Sequence, residues 1–257
     1  AADEVRYVEI RWGPALHVKK GMPLAEGIAA VVDAGREAAV ATGIEVRFIC
    51  TALRSHDPAT NLALAETAVG FRDRGLTGWD LAGPEEAYPD PLIHVAAFDA
   101  ARAGGLAITI HAGEWGGAGQ IRRALAVEPA RIAHGPRVAD DPALADELID
   151  RRIALDLCPT SNVQSGLVPS VAEHPLATLH RAGVPVTLST DDLTVSDISL
   201  SEEYARGLVE IGLSIDELWA IDRRALDVAF ADDATLERLR AGFDRWASGR
   251  PELGTGG

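Results

Sequence analysis

The chain has 257 residues, 47% of them hydrophobic, which is enough to bury one large core and close to the roughly 250 residues of a single α/β barrel. A formal net charge of −15 argues against a nucleic-acid partner, because binding to a polyanion needs clustered Lys and Arg to displace counterions. No run approaches the roughly 18 apolar residues that span a bilayer, the first residues lack the basic and apolar regions of a signal peptide, and Cys50 and Cys158 each follow an apolar run, as buried thiols in a reducing compartment do, so a cytoplasmic protein without a membrane partner is expected.

Seven short β-like runs alternate with helical patterns, at 5–11, 44–49, 76–81, 107–111, 131–134, 153–157 and 184–189. Such alternation implies parallel strands joined by helical crossovers. Asp57-Pro58, Asp90-Pro91 and Asp141-Pro142 each pair an N-cap with a proline in the first helical turn. After the last strand, 199–211 has apolar residues at helical spacing. Ser214 and Glu217 then have the spacing of a capping box, so a helix is expected towards Val228, and another after Asp232-Asp233. The Gly-rich end, 254–257, reads as a frayed tail. Seven strands are one short of a closed eight-stranded barrel, and an open parallel sheet leaves edges that such sheets usually cover.

The chemistry-bearing residues gather at strand ends, where a parallel α/β barrel keeps its active site. His111-Ala112-Gly113-Glu114 closes the fourth run. A lone histidine there is more often a polar rim residue, but Gly113 allows a sharp turn that lets His111 and Glu114 face one cavity, one for a cation and one for a substrate proton. His134-Gly135 ends the fifth run and, alone, reads equally as a satisfied core histidine. Asp191-Asp192 follows the seventh: a helix N-cap on the bland reading, or two repelling carboxylates relieved by a cation. Asp80-Leu81-Ala82-Gly83 ends the third run, where Gly83 is either a turn residue or an exposed amide. Cys158-Pro159-Thr160-Ser161-Asn162 reads as a structural turn. His17 and His56 read as exposed loop residues, and His94, His174 and His180 as surface or packing residues of helical segments.

Taken in order, His111-Ala112-Gly113-Glu114, Ile132-Ala133-His134-Gly135, Cys158-Pro159-Thr160-Ser161-Asn162 and Ser189-Thr190-Asp191-Asp192 resemble the adenosine deaminase family of zinc-dependent hydrolases, and Asp80-Leu81-Ala82-Gly83 matches a further family segment. The resemblance covers the chain from Val5 onward. It implies a TIM-like (β/α)8 barrel of the metal-dependent hydrolase type, with seven strands visible and extra helices at the C-terminus. It also implies one zinc ion per subunit and a small purine nucleoside or base as ligand. By the same resemblance His111 and Asp191 are zinc ligands and Glu114 protonates the purine N1. His134 positions and deprotonates the metal-bound water, Asp191 also holds the hydroxide, and Asp192 and the Gly83 amide contact the ring. The implied reaction is hydrolytic deamination of adenosine, or a related 6-aminopurine, to inosine and ammonia.

One departure bears on the metal. The family carries a His-x-His pair on its first barrel strand, and this sequence contains none, so two expected ligands are absent. The expectation is therefore a single barrel domain over 1–257 that is N-terminally incomplete and has little deaminase activity by itself. Leu193 stands where many relatives of this kind have proline. A carboxylated-lysine metal bridge is disfavoured because the only lysines are Lys19 and Lys20. The cytidine-deaminase type of zinc site needs Pro-Cys-x-x-Cys with His-x-Glu, which is missing. A non-catalytic purine-binding or scaffold barrel is the competing reading, separated from an enzyme by bound zinc and turnover.

Overall fold

The computed structural model describes residues 3–18, 21–250 and 253. Lys19, Lys20 and the Gly-rich end lie outside the described residues. Contacts divide the chain into two compact units, 1–130 and 131–257.

The first unit alternates β1 (Tyr7–Trp12), α1 (Leu24–Thr42), β2 (Glu45–Leu53), α2 (Pro58–Val69), β3 (Leu76–Ala82), α3 (Val95–Ala103), β4 (Ala107–His111) and α4 (Gly117–Ala124). Its strands pair in parallel and in chain order. Phe48, Ile49, Cys50 and Ala52 of β2, and Leu76, Trp79 and Leu81 of β3, are all buried. Burial of successive residues means that both faces of these strands are covered, the usual state of a parallel sheet. Within this register Thr51 stands opposite Asp80, and Leu53 opposite Ala82. The Asp-Pro signals behave as expected. Asp57 accepts from the Thr60 amide at the start of α2, and Asp90 accepts from Leu92 at the start of a 3-10 turn, Pro91–His94, that leads into α3.

The second unit runs β5 (Arg131–Ala133), α5 (Pro142–Arg151), β6 (Ala154–Leu157), α6 (Pro159–Gln164), α7 (Leu176–Arg181), β7 (Val186–Leu188), α8 (Leu193–Ser196), α9 (Leu200–Val209), α10 (Ile215–Val228) and α11 (Asp233–Ala247). β5 pairs with β6, and β6 with β7, all in parallel. Asp141 caps α5, Asp232 caps α11, and the Ser214–Glu217 capping box opens α10. A second capping box, Ser199 with Glu202, opens α9.

All seven expected strands are present, and β2 extends to Leu53, beyond its expected end. Two local readings are corrected. The segment after Cys158 is a helix start rather than a simple turn, since Pro159 takes the first position of α6, where its fixed φ suits a helix and its missing N–H costs nothing. His174 is not helical; it is extended (φ −67°, ψ 130°) because the following Pro175 excludes the helical region. His17 is exposed and His56 half-buried. Among the described residues no helix is long and apolar enough to cross a membrane.

Candidate active site

In the first unit the site grows from a charge placed inside an apolar strand. Asp80 sits between Trp79 and Leu81 of β3 and is fully buried, so it must be paired to remain ionised. The strand register supplies the partners. Thr51 donates its hydroxyl to Asp80 Oδ2 at 3.0 Å, and Nδ1 of His111, the last residue of β4, lies 3.1 Å from Oδ1 and 2.9 Å from Oδ2. Burial by itself would raise the Asp80 pKa, but the charges of His111 and Arg11 and the bonds from His111 and Thr51 hold it well below the usual carboxylate range. Burial pushes the His111 imidazole down, yet Asp80 beside it outweighs that and leaves its pKa raised.

The turn that follows is pinned from below. Gly113 adopts φ +74°, which a glycine reaches without steric cost. The buried Glu85 carboxylate accepts the Gly113 amide at 2.9 Å and the Glu114 amide at 3.0 Å. Gln120 donates to the Glu85 carbonyl at 3.3 Å. Arg54, also buried, donates to the His111 carbonyl at 2.9 Å and to the Tyr88 carbonyl at 3.2 Å. Burial lowers the Arg54 pKa against the opposing effect of Glu85 and Asp80. Glu114 is thereby carried, half-buried, on a turn whose backbone is held at both amides. Gly83, just past β3, has φ +117°, a conformation essentially restricted to glycine.

In the second unit His134 directly follows β5 and is buried. Its amide donates to the Asp156 carbonyl at 2.9 Å, extending the ladder by one residue. Its Nδ1 lies 3.1 Å from Asn162 Nδ2, and its Nε2 lies 3.9 Å from Asp191 Oδ2. Asp191 accepts the Ser161 hydroxyl at 2.7 Å. His134 has φ +65° and Asp191 φ +60°; a left-handed non-glycine residue costs roughly 1–2 kcal/mol, and strain of this kind gathers where side chains are aimed for function. Asp192 caps α8, its Oδ1 accepting from Thr194 at 2.9 Å and Val195 at 3.0 Å. Glu203, buried in α9, holds the start of α6 by accepting the Thr160 amide at 2.8 Å and the Thr160 hydroxyl. Cys158 is buried, and the Cys50 thiol is pushed up by burial and by the charge of Asp80, as inert structural thiols are.

His111, Glu114, His134, Asp191, Asp192 and Gly83 therefore all lie at or just beyond the carboxyl end of a strand, whereas His94, His174 and His180 do not. The structure brings His134 and Asp191 together and sets His111 and Glu114 on one pinned turn. The capping reading of Asp192 holds. Sequence reasoning named Asp80, Asn162 and His174 without giving them a holding role, and missed Glu85, Arg54 and Glu203 altogether. The available signal was a polar or charged residue inside an apolar run, as with Asp80.

Comparison with known proteins gives this arrangement its class. An amidohydrolase structure from Burkholderia ambifaria with bound Zn superposes with a TM-score of 0.86 at 28% identity, over 95% of this chain and 70% of that one. Arabidopsis ADAL complexed with IMP superposes with a TM-score of 0.83 at 30% identity, over 94% and 72%. The fold is thus a TIM-like barrel of the amidohydrolase type. An adenosine deaminase from Mycobacterium sp. (strain KMS) is 40% identical over 251 residues, 90% of this chain and 67% of that protein. An adenine deaminase from Rhizobium meliloti is 42% identical over 217 residues, 84% of this chain and 66% of that protein. The adenosine deaminase family model matches residues 1–246. The chain belongs to the adenosine deaminase family and is an aminohydrolase acting on aminopurines.

The family is metal-dependent, and the donors present fit zinc in kind. Asp80 engages His111 Nδ1, the carboxylate–histidine pairing that orients metal-ligating imidazoles and raises their basicity, and Asp191 offers a carboxylate. In number they fall short, because a catalytic zinc takes three protein ligands as a rule and, among the described residues, no group of three or more His, Cys, Asp or Glu is placed to hold a metal.

Proposed function

We propose that this protein hydrolyses the 6-amino group of adenosine, or of a closely related 6-aminopurine, giving inosine and ammonia. The observation that carries the reading is the doubly pinned turn bearing Glu114 directly after the carboxylate-backed His111. A carboxylic acid held at fixed height can deliver a proton to N1 of the purine, which draws electron density from C6 and opens it to water. His134, beside Asp191, positions the attacking water. The Gly83 amide and the Asp192 carboxylate, whose Oδ1 is committed to its own helix, contact the ring and fix its register. Ammonia leaves as the tetrahedral centre collapses to the 6-oxopurine. Zinc, one ion held by His111 and Asp191 with further ligands, would lower the pKa of the water towards about 7.

The relatives named adenosine deaminase and adenine deaminase, and the relative that binds IMP, a 6-oxopurine nucleotide, support a purine in this place. The test is to incubate the purified protein with zinc and with adenosine, adenine or AMP in turn, following ammonia and the 6-oxopurine together. With two expected ligands absent turnover should be slow, but equal yields of the two products from one of these substrates are expected. Zinc-loaded protein that binds adenosine and releases no ammonia from any of the three would overturn the reading.

A further inference from the structure

We propose that His174, acting through Asn162, sets the direction of the hydrogen bonds at His134, so that neutral His134 accepts at Nδ1 and carries its proton on Nε2, towards Asp191. The chain of bonds starts at a helix end. Leu176 is the first residue of α7, and its N–H is one of the amides for which a helix has no carbonyl of its own. Pro175 holds His174 extended, and from there the imidazole folds back so that Nδ1 accepts the Leu176 N–H at 3.2 Å. A neutral imidazole has one N–H. With Nδ1 accepting, the proton of His174 is on Nε2. Burial, which leaves His174 only 4% exposed, pushes its pKa down to about 4 and keeps the ring neutral.

His174 Nε2 lies 3.1 Å from Asn162 Oδ1, and a donor there requires the amide oxygen, not the amide nitrogen. The Asn162 nitrogen must then face the other way, where His134 Nδ1 lies 3.1 Å from it. An amide nitrogen can only donate. His134 Nδ1 is therefore an acceptor, and the proton of the neutral ring is on Nε2, on the side where Asp191 Oδ2 lies at 3.9 Å. Turning Asn162 over would set its amide hydrogens against the Nε2–H of His174. One backbone amide thus orients the whole chain of bonds, with His174 and Asn162 as positioning residues.

The consequence rests on the function proposed above. A ring nitrogen that already bears a proton cannot take another, so His134 holds the attacking water by donating a hydrogen bond to its oxygen. This differs from the family expectation, in which His134 removes a proton from that water.

The experiment is a two-bond ¹H–¹⁵N correlation spectrum of the purified protein, ¹⁵N-labelled at histidine, at mildly alkaline pH. It needs neither substrate nor turnover, so its failure is separable from failure of the functional reading. His134 and His174 should both show the pattern of a proton on Nε2. Asn162→Asp, whose carboxylate can only accept, should switch His134 to the Nδ1–H form while His174 keeps its own. A wild-type His134 with its proton on Nδ1 would overturn the proposal whether or not the variant folds, and so would an Asn162→Asp protein whose His134 keeps the wild-type pattern.

Discussion

His111 and His134 stand at the ends of β4 and β5, and each has Nδ1 engaged by a side chain from another element. The engaging atoms are opposite in kind. At His111 it is the Asp80 carboxylate, an acceptor, which favours the proton on Nδ1 and the lone pair on Nε2, the form that binds a metal. At His134 it is the Asn162 amide nitrogen, a donor, which favours the reverse. Two histidines in equivalent places are thus given different chemistry by the residue behind them. The same contrast recurs in the loops. Glu85 pins the turn after β4 through two backbone amides, whereas Glu203 pins the start of α6 through one amide and one hydroxyl.

The largest effect expected is on the turn that Glu85 holds. Glu114→Gln keeps the shape of the side chain but cannot supply a carboxylic proton, so turnover should fall by about 10² to 10⁴-fold with purine binding retained. Near wild-type turnover would remove Glu114 as the donor. In the other half, acid should act through His174. Its pKa is lowered from 6.5 to about 4 in the folded protein, so the unfolded chain takes up the proton first as pH falls. The stability it contributes is complete above pH 6.5 and is lost as pH falls towards 4, in total about 3 kcal/mol at about 1.4 kcal/mol per pKa unit. Denaturant unfolding across that range should show wild type losing this much more than His174→Gln; parallel curves would mean that His174 is not buried as a neutral ring.

The paired glutamates give a smaller and sharper comparison. In Glu85→Gln a new amide group must face a backbone N–H that cannot reverse, costing about 1–3 kcal/mol. In Glu203→Gln the Thr160 hydroxyl can turn from donor to acceptor, and burial, which raises the Glu203 pKa, no longer acts on a charge. The cost there should stay below about 1 kcal/mol. Equal losses in thermal or denaturant unfolding would show that the partner's ability to reverse does not matter.

Much of this frame was legible in the sequence. β-branched runs ending in His111, His134 and Asp191, the Asp-Pro helix starts and the Ser214 capping box are local signals, carried by neighbouring residues, and each marks its element directly. The groups that hold the site are not local. Asp80 meets His111, Glu85 meets Gly113, and Glu203 meets Thr160, each across a long stretch of chain, so no window of sequence contains both partners. His174 was misplaced because helical spacing outweighed the single proline that follows it. The left-handed backbones of His134 and Asp191 carry only a faint signal in residue type, since neither is glycine, although Asp and His adopt that region more often than most side chains.

The group behind each histidine decides what the histidine does. The most direct test of this is zinc affinity, measured by equilibrium dialysis on the wild type, Asp80→Asn and Asn162→Asp side by side. Removing a carboxylate behind a metal-ligating histidine typically weakens binding about 10 to 100-fold, so a loss of that size is expected for Asp80→Asn and no loss for Asn162→Asp, which frees the Nε2 lone pair of His134 beside Asp191. Equal losses in the two variants, or an Asp80→Asn protein that holds zinc as the wild type does, would contradict it.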